Sequence, residues 1–467
     1  MAGTYVGSDP SAAVTDVVTD SREACPGAAF VAISGARVDG HDFAAAAVSS
    51  GCPVAITSRP IAGVPCIVVD DPVLALGRLA TALVTGLGAV VVGITGSSGK
   101  TSTKDLVAAV LAAAAPTVAS PGSFNTEVGL PRTVVSAPAD TRFLVLEMGM
   151  RGPGHITYLA RLVRPSIAVV TNVGHAHIEL LGSQDAIAAA KGELVAALSA
   201  DGTAVLNADD PRVRAMAALT PARVVLAGEA ADAQVTASNV VVDDLMRASF
   251  TLEHRPDDAP AQQSPVHLQV HGRHQVGNAL LAAGVGIAAG MSLDAIAHAL
   301  SEAQPASRWR MEVHRRTDGV TVVNDAYNAN PESMAAALAA LAGMDASPGH
   351  RGRRWAVLGE MRELGEHSSA AHARVGEQVV AAGIERLVCV GDATRPVLDA
   401  ARTAGLGAEE SCLVPDADAA LVLLRGALAP GDVVLVKASR SVGLESVASG
   451  LLGASLNGPD GAPGAPA

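Results

Sequence analysis

Residues 93–105 read Gly-Ile-Thr-Gly-Ser-Ser-Gly-Lys-Thr-Ser-Thr-Lys-Asp, and no other segment constrains the fold as strongly. The run follows the apolar stretch Ala89-Val-Val-Val and leads into Leu106-Val-Ala-Ala-Val-Leu-Ala. The order is therefore strand, glycine-rich loop, helix start. Glycines let backbone N–H groups approach phosphate oxygens, and the helix N-terminus adds partial positive charge. Gly96, Ser97, Ser98, Gly99, Lys100, Thr101 and Ser102 are thus expected to cradle a nucleoside triphosphate. Lys100 would reach the β- and γ-phosphates, and the Thr101 hydroxyl would take Mg²⁺. The spacing is GxxGxxGKT, with Ile94 where the general phosphate-loop pattern has glycine.

Only Lys100, Lys104, Lys191 and Lys437 among the 33 basic residues are lysines. In a chain that uses arginine wherever a surface cation suffices, a retained lysine points to a need for a compact ammonium or a reactive amine. The net charge of −13 argues against a nucleic-acid partner. Aromatics make up 2% of the chain, so its cores must be built from Ala, Val and Leu. Base-stacking surfaces are not expected. The five cysteines are scattered and never CxxC, which fits free thiols in a reducing compartment and implies no zinc site. The N-terminus shows no basic region followed by an apolar stretch. The charge-free stretch Leu79–Gly99 is interrupted by five glycines and ends in the phosphate loop. It reads as a helix end, a turn and a buried strand rather than a membrane span. A cytoplasmic protein is expected.

A length of 467 residues suggests about three domains at roughly 150 residues each. Residues 1–87 alternate short strand-like and helical runs, which predicts a small α/β domain. Residues 88–311 repeat strand and helix, with strands at 89–94, 143–147, 167–171, 203–207 and 223–227, predicting a mostly parallel sheet. Within them, 234–270 alternates at period two and reads as an antiparallel addition with a polar turn at Arg255-Pro-Asp-Asp258. Residues 312–456 open on Val320–Asp325 and alternate again, predicting a second, Rossmann-like doubly wound sheet. The tail 457–467 is Gly/Pro-rich and is expected to be disordered.

Strand ends of α/β sheets are where ligands bind. Phe143-Leu-Val-Leu ends in Glu147, a candidate Mg²⁺ carboxylate. Ala168-Val-Val ends in Thr171-Asn172, with His175, His177 and Glu179 close behind, pointing to a metal or phosphate role. Lys191 follows in an Ala-rich helical run. His274 and Asn278 fall on one helix face at i, i+4. Arg310, at the junction of the second and third domains, is placed to stabilise phosphoryl charge if those domains close. Val323–Ser333 carries more polar side chains than one helix cap requires.

Taken together, these segments resemble the Mur ligases, ATP-dependent amide-forming enzymes of peptidoglycan synthesis. The family marks are 93–101, Leu146-Glu147, Asn172–His177 with Lys191, and the His274/Asn278 segment. Thr19–Arg22, Phe30–Gly35 with Asp39–Asp42, Ser123–Pro131, Tyr327–Ser333 and Leu358–Gly365 resemble the branch that joins D-Ala-D-Ala to UDP-N-acetylmuramoyl-tripeptide. The resemblance spans about residues 15–450. It implies an N-terminal UDP-substrate domain, a central ATPase and a closing C-terminal domain in a monomer. It also implies an acyl-phosphate route with two Mg²⁺ ions. Thr101 and Glu147 would hold one ion and His177 the second, with a carbamylated Lys191 supporting the metals. Lys100 and Arg310 would complete the catalytic set. Asn278, Arg310 and Asp325 would contact ATP. Ser21, Arg22, Asn125 and Thr126 would face the muramoyl peptide, and Tyr327, Asn328 and Asn330 the dipeptide. Thr126 stands where that branch commonly has asparagine, and His175 has no counterpart.

Overall fold

The computed structural model describes residues 3–7, 11, 13–35, 38–256, 259–344 and 352–453. The expected tail and the Asp257-Asp258 end of the polar turn lie outside them. Three sheets follow one another along the chain. The first has β1 (Thr4–Val6), β2 (Asp16–Val18), β3 (Ala28–Val31), β4 (Val54–Thr57) and β5 (Cys66–Val68) in the order β1-β5-β4-β3-β2. Only β1 runs antiparallel to its neighbour. β1 and β2 are absent from the sequence expectation, because three residues show no period that could announce them.

The helix Pro72–Leu87 leads out of this sheet. Its start follows capping rules: the Asp71 carboxylate accepts from the Val73 and Leu74 N–H groups and Pro72 stands at the first position. Gly88 at φ 60° ends it.

The middle sheet contains β6 (Val90–Thr95), β7 (Thr117–Ala119), β8 (Phe143–Glu147), β9 (Ile167–Val170), β10 (Thr203–Asn207), β11 (Arg223–Ala227), β12 (Val235–Val242), β13 (Arg247–His254) and β14 (Gln262–His271). Its order is β14-β13-β12-β11-β10-β9-β6-β8-β7. From β7 to β12 neighbours are parallel, and β12, β13 and β14 form the expected antiparallel extension. β6 is the switch point, with β8 on one side and β9 on the other. Chain leaving β8 and chain leaving β9 therefore flank the loop that leaves β6, which is the crevice where open α/β sheets bind ligands. Val91, Val92, Leu144, Val145, Val169 and Val170 are buried, as strands covered on both faces require.

The third sheet contains β15 (Glu312–Arg315), β16 (Thr321–Asn324), β17 (Arg354–Leu358), β18 (Arg386–Val390), β19 (Ser411–Val414) and β20 (Val433–Lys437), in the order β15-β16-β20-β17-β18-β19. β15 is an unanticipated antiparallel edge; the others are parallel.

Asp432 anchors the entry to β20. Its carboxylate takes Arg353 (2.7 Å), the Trp355 indole N–H (3.0 Å) and the backbone N–H groups of Arg353 and Ala429. Burial by itself would raise its pKa, but these donors more than offset that and hold it below the usual carboxylate range. A depressed folded pKa gives stability that is complete above the unfolded value near ~4 and is lost as pH falls through the folded value. Asp432→Ala is expected to destabilise the third domain by about 2–3 kcal/mol at pH 7, with the deficit shrinking on acidification. Urea unfolding followed by Trp355 fluorescence in a Trp309→Phe background measures this. Equal losses at pH 7 and pH 3 would contradict the linkage.

Candidate active site

The loop after β6 is fixed from the β9 side. Asn172 accepts from the Ser97 and Ser98 N–H groups (3.1 and 2.9 Å) and donates to the Ser98 hydroxyl (2.7 Å). Thr171 donates to the Ser98 carbonyl (2.6 Å) and the Gly174 N–H to the Ser97 hydroxyl (2.8 Å). Gly96 sits at φ 153°, and a Cβ there would lie 1.8 Å from the Thr171 hydroxyl oxygen. That position admits only glycine. Gly99, at φ 75°, caps the helix Lys100–Ala112, and Lys100 folds back onto the Gly96 carbonyl (2.8 Å).

From the β8 side comes Glu147, buried at 1% exposure. It accepts from the Thr101 hydroxyl and from the Asn125 amide, both at 2.8 Å. Arg310, from the junction of the second and third sheets, donates to the same Thr101 hydroxyl (3.0 Å). A hydroxyl and a carboxylate oxygen are hard donors, and Mg²⁺ is commonly held by one or two such protein groups plus phosphate oxygens. The Thr101–Glu147 pair fits that ion. Among the described residues no three His, Cys, Asp or Glu side chains cluster as a self-sufficient metal cage. Any divalent ion here would depend on its nucleotide.

Lys191 is 1% exposed, and its amine has the Met150 sulfur at 4.0 Å as its recorded polar neighbour. Burial, reinforced by the charge of Lys100, holds its pKa well below that of an ordinary lysine. Beside it opens a cavity of about 460 Å³ lined by Lys100, Asn125, Thr126, His177, Glu179 and Glu363, among others. His177 Nδ1 is paired with Glu363 of the third domain (2.6 Å). That contact holds the Glu363 carboxyl below its usual range.

A second cavity, on the other side of the loop, is lined by Ser98, Ser102, Asn278, Arg310, Asp325 and Lys437, with His274 and Glu332 at its walls. Asn278 accepts from Thr103 (3.1 Å) and donates to Gln275 (2.8 Å). Asp325 leaves β16 and Lys437 ends the adjacent β20, so register alone makes them meet, at 2.5 Å. Lys437 also donates to the Asn328 carbonyl (2.9 Å).

The expected residues are thus gathered unevenly. Lys100, Thr101, Glu147, Asn125, Arg310, Asn278 and Asp325 surround the loop, while His177 and Thr126 share the 460 Å³ cavity with Lys100. Asn330 caps the helix Pro331–Gly343 and its amide donates to the Ser97 carbonyl (3.3 Å), so it faces the phosphate loop. Asn328 bonds its own chain at Ala329. Tyr327 lies against Arg310. Ser21 and Arg22 stand apart in a short turn of the first domain, where Arg22 pairs with Asp20. Ser123, Glu332 and Glu363 stand inside motifs marked in the sequence, which assigned them no role. Sequence reasoning left Lys437 without a role, although the scarcity of lysine had already singled it out. His175 proves to be an interdomain contact: its backbone N–H and Nδ1 both meet Glu332 of the third domain (2.9 and 2.7 Å).

Among the described residues no helix is long and apolar enough to cross a membrane. Family models match in three consecutive blocks: Mur ligase family, catalytic domain, at 13–82; Mur ligase middle domain at 94–286; and Mur ligase, glutamate ligase domain, at 309–440. The UDP-N-acetylmuramoyl-tripeptide–D-alanyl-D-alanine ligase of Mycobacterium tuberculosis is 48% identical over 93% of this chain and 91% of its own. MurF from Acinetobacter baumannii superposes with a TM-score of 0.82 at 30% identity over 94% of both chains. MurF from Thermotoga maritima in complex with ADP does so with 0.78 at 28% identity, over 93% of this chain and 96% of that one. The chain belongs to the Mur ligase family and, within it, to the MurF group, the UDP-N-acetylmuramoyl-tripeptide–D-alanyl-D-alanine ligases.

Proposed function

We propose that this chain extends UDP-N-acetylmuramoyl-tripeptide by D-Ala-D-Ala through an acyl phosphate, with the cavity between Lys100 and His177 as the reaction chamber. The supporting observation is the convergence of Glu147 and Arg310, from two distant chain segments, on Thr101 of the phosphate loop, next to Lys100, which opens onto that cavity. A terminal carboxylate oxygen of the tripeptide attacks the γ-phosphorus and ADP departs. The dipeptide amine then attacks the acyl carbon, the C–O bond to phosphate breaks, and the amine releases a proton as the amide forms. Lys100 and Arg310 offset the charge of two anions brought together. Mg²⁺ held by Thr101 and Glu147, with a second ion near His177, would supply further charge neutralisation.

Lys191 is read as a carbamylated residue. Burial lowers the pKa of this amine and so favours its neutral, nucleophilic form, and carbamylation would turn it into an anion facing the cationic Lys100. On this reading residues 1–87 hold the UDP-muramoyl peptide, with Ser21 and Arg22 on its muramoyl-peptide side, 88–311 bind ATP, and 312–456 close over both. The tripeptide sits by Asn125 and Thr126, and the dipeptide enters past Asn328 and Asn330. A monomer working in the cytoplasm completes the proposal.

Phosphate release is expected to require ATP, the UDP-muramoyl-tripeptide and D-Ala-D-Ala together. Steady turnover that ignores the dipeptide would refute the ligation step while leaving ATP hydrolysis standing. Lys191→Ala is expected to lower kcat by about 100-fold or more, with partial recovery in formate or acetate, since a small carboxylate can replace the carbamate. Undiminished activity, or no ¹³C carbamate signal from the wild-type protein in labelled bicarbonate, would remove the carbamate.

A further inference from the structure

Arg310 is held in an unusual way. Its two chain neighbours, Trp309 and Met311, both have positive φ (59° and 50°), a conformation that bulky side chains avoid. Two hydrogen bonds from the third domain maintain it: the Tyr327 N–H donates to the Trp309 carbonyl (3.2 Å), and the Met311 N–H to Asp325 (3.1 Å). The side chains then form a ladder. The Arg440 guanidinium lies 4.2 Å from the Trp309 ring, Trp309 and Tyr327 are 6.4 Å apart, and the Arg310 guanidinium lies 4.2 Å from the Tyr327 ring. In a chain with two Trp and three Tyr, one of each is spent here. Beyond the stack, Arg310 Nη2 reaches the Thr101 hydroxyl, while its Nε is buried with no partner. The Tyr327 hydroxyl meets the Ser123 hydroxyl of the middle domain.

We propose that Tyr327 is a positioning residue whose ring aims Arg310 at the phosphate loop, and that its docking on Ser123 makes this aim conditional on closure of the third domain. The inference deepens the ligase reading and rests on it. An arginine side chain has many rotamers, and stacking on a fixed ring removes most of them. The planar fork is then left with one direction to point, toward Thr101 and the unpaired Nε direction beside it. Trp309, Arg310 and Tyr327 are tied together on the third domain, so until Tyr327 docks on Ser123 the aimed guanidinium lies away from Thr101 and phosphoryl charge is not stabilised. The ring contact also changes what is expected of Tyr327, since its aromatic face is taken by Arg310 rather than offered to the dipeptide.

The full-length chain is assayed for phosphate release with all three substrates. Tyr327→Leu is expected to lower kcat about 30-fold while the KM for D-Ala-D-Ala stays within about twofold, and to add less than about twofold on top of Arg310→Ala. Tyr327→Phe keeps the platform and is expected to recover all but about fivefold of kcat. Ser123→Ala tests the dock independently of any folding defect at 327: it is expected to cost a few-fold in kcat alone and nothing further in Tyr327→Phe. Normal wild-type turnover with multiplicative losses in Tyr327→Leu/Arg310→Ala overturns the inference alone, as does a raised dipeptide KM at unchanged kcat. A wild-type chain that releases no phosphate with all three substrates overturns the ligase reading and the inference with it.

Discussion

A triphosphate and a carboxylate repel each other, and at 4 Å in surroundings of effective dielectric near 20 each pair of unit charges opposes approach by about 4 kcal/mol. The rest of the molecule is arranged around that repulsion. The switch point at β6 puts the loop N–H groups and the helix start Lys100–Ala112 where fixed dipoles meet the phosphates. Lys100 and Arg310 approach from opposite sides. Three carboxylates around the loop and its two cavities are committed: Glu147 to Thr101 and Asn125, Asp325 to Lys437, Glu363 to His177.

On the proposed reading, the arrangement also depends on two domains being held together reversibly. Among the described residues, contacts across the second and third sheets include the Arg310–Thr101 bond, the Asn330–Ser97 bond, the Tyr327–Ser123 contact, the pairs His175–Glu332 and His177–Glu363, and Met246, which packs into the third-domain core. The two ion pairs are partly open to water, with side-chain exposures of 42% and 29% for the first and 25% and 50% for the second. Such pairs are worth roughly 0–1 kcal/mol each. On the proposed reading, ion pairs this weak suit a clamp that must release ADP, phosphate and a lengthened peptide every turnover.

How far the sequence revealed this follows from the range of each interaction. The phosphate loop, the strand ending in Glu147 and the antiparallel stretch after 234 are local patterns, and period and spacing disclose them. The count of lysines was a subtler signal, yet it reached Lys191 and Lys437 without any structure. Partners were another matter. Asp325 and Lys437 are 112 residues apart and His175 and Glu332 157 apart, so only sheet order brings them together. Asn330 shows a local device within a functional motif: its Asn-Pro-Glu-Ser setting is a capping box, legible from four consecutive residues. The short edge strands β1 and β15 were invisible because an edge pairs on one side and needs little pattern of its own.

The scarcity of lysine can now be given a physical cause at each of its four positions. Lys104, Lys191 and Lys437 are almost fully buried, and Lys100 lies half-buried in the loop. Lys104 places its ammonium on the Ser120 carbonyl (2.7 Å), and Lys437 fits between the Asp325 carboxylate and the Asn328 carbonyl. A compact ammonium satisfies two such acceptors from one point, whereas a planar guanidinium would need room for five donors. Lys191 imposes the strictest demand. Guanidinium remains protonated in proteins, so an arginine there would keep its charge in a dry site beside Lys100, with no compensating anion acting on it among the described residues. An amine can give up its proton, and once neutral it can become the anion that its surroundings lack.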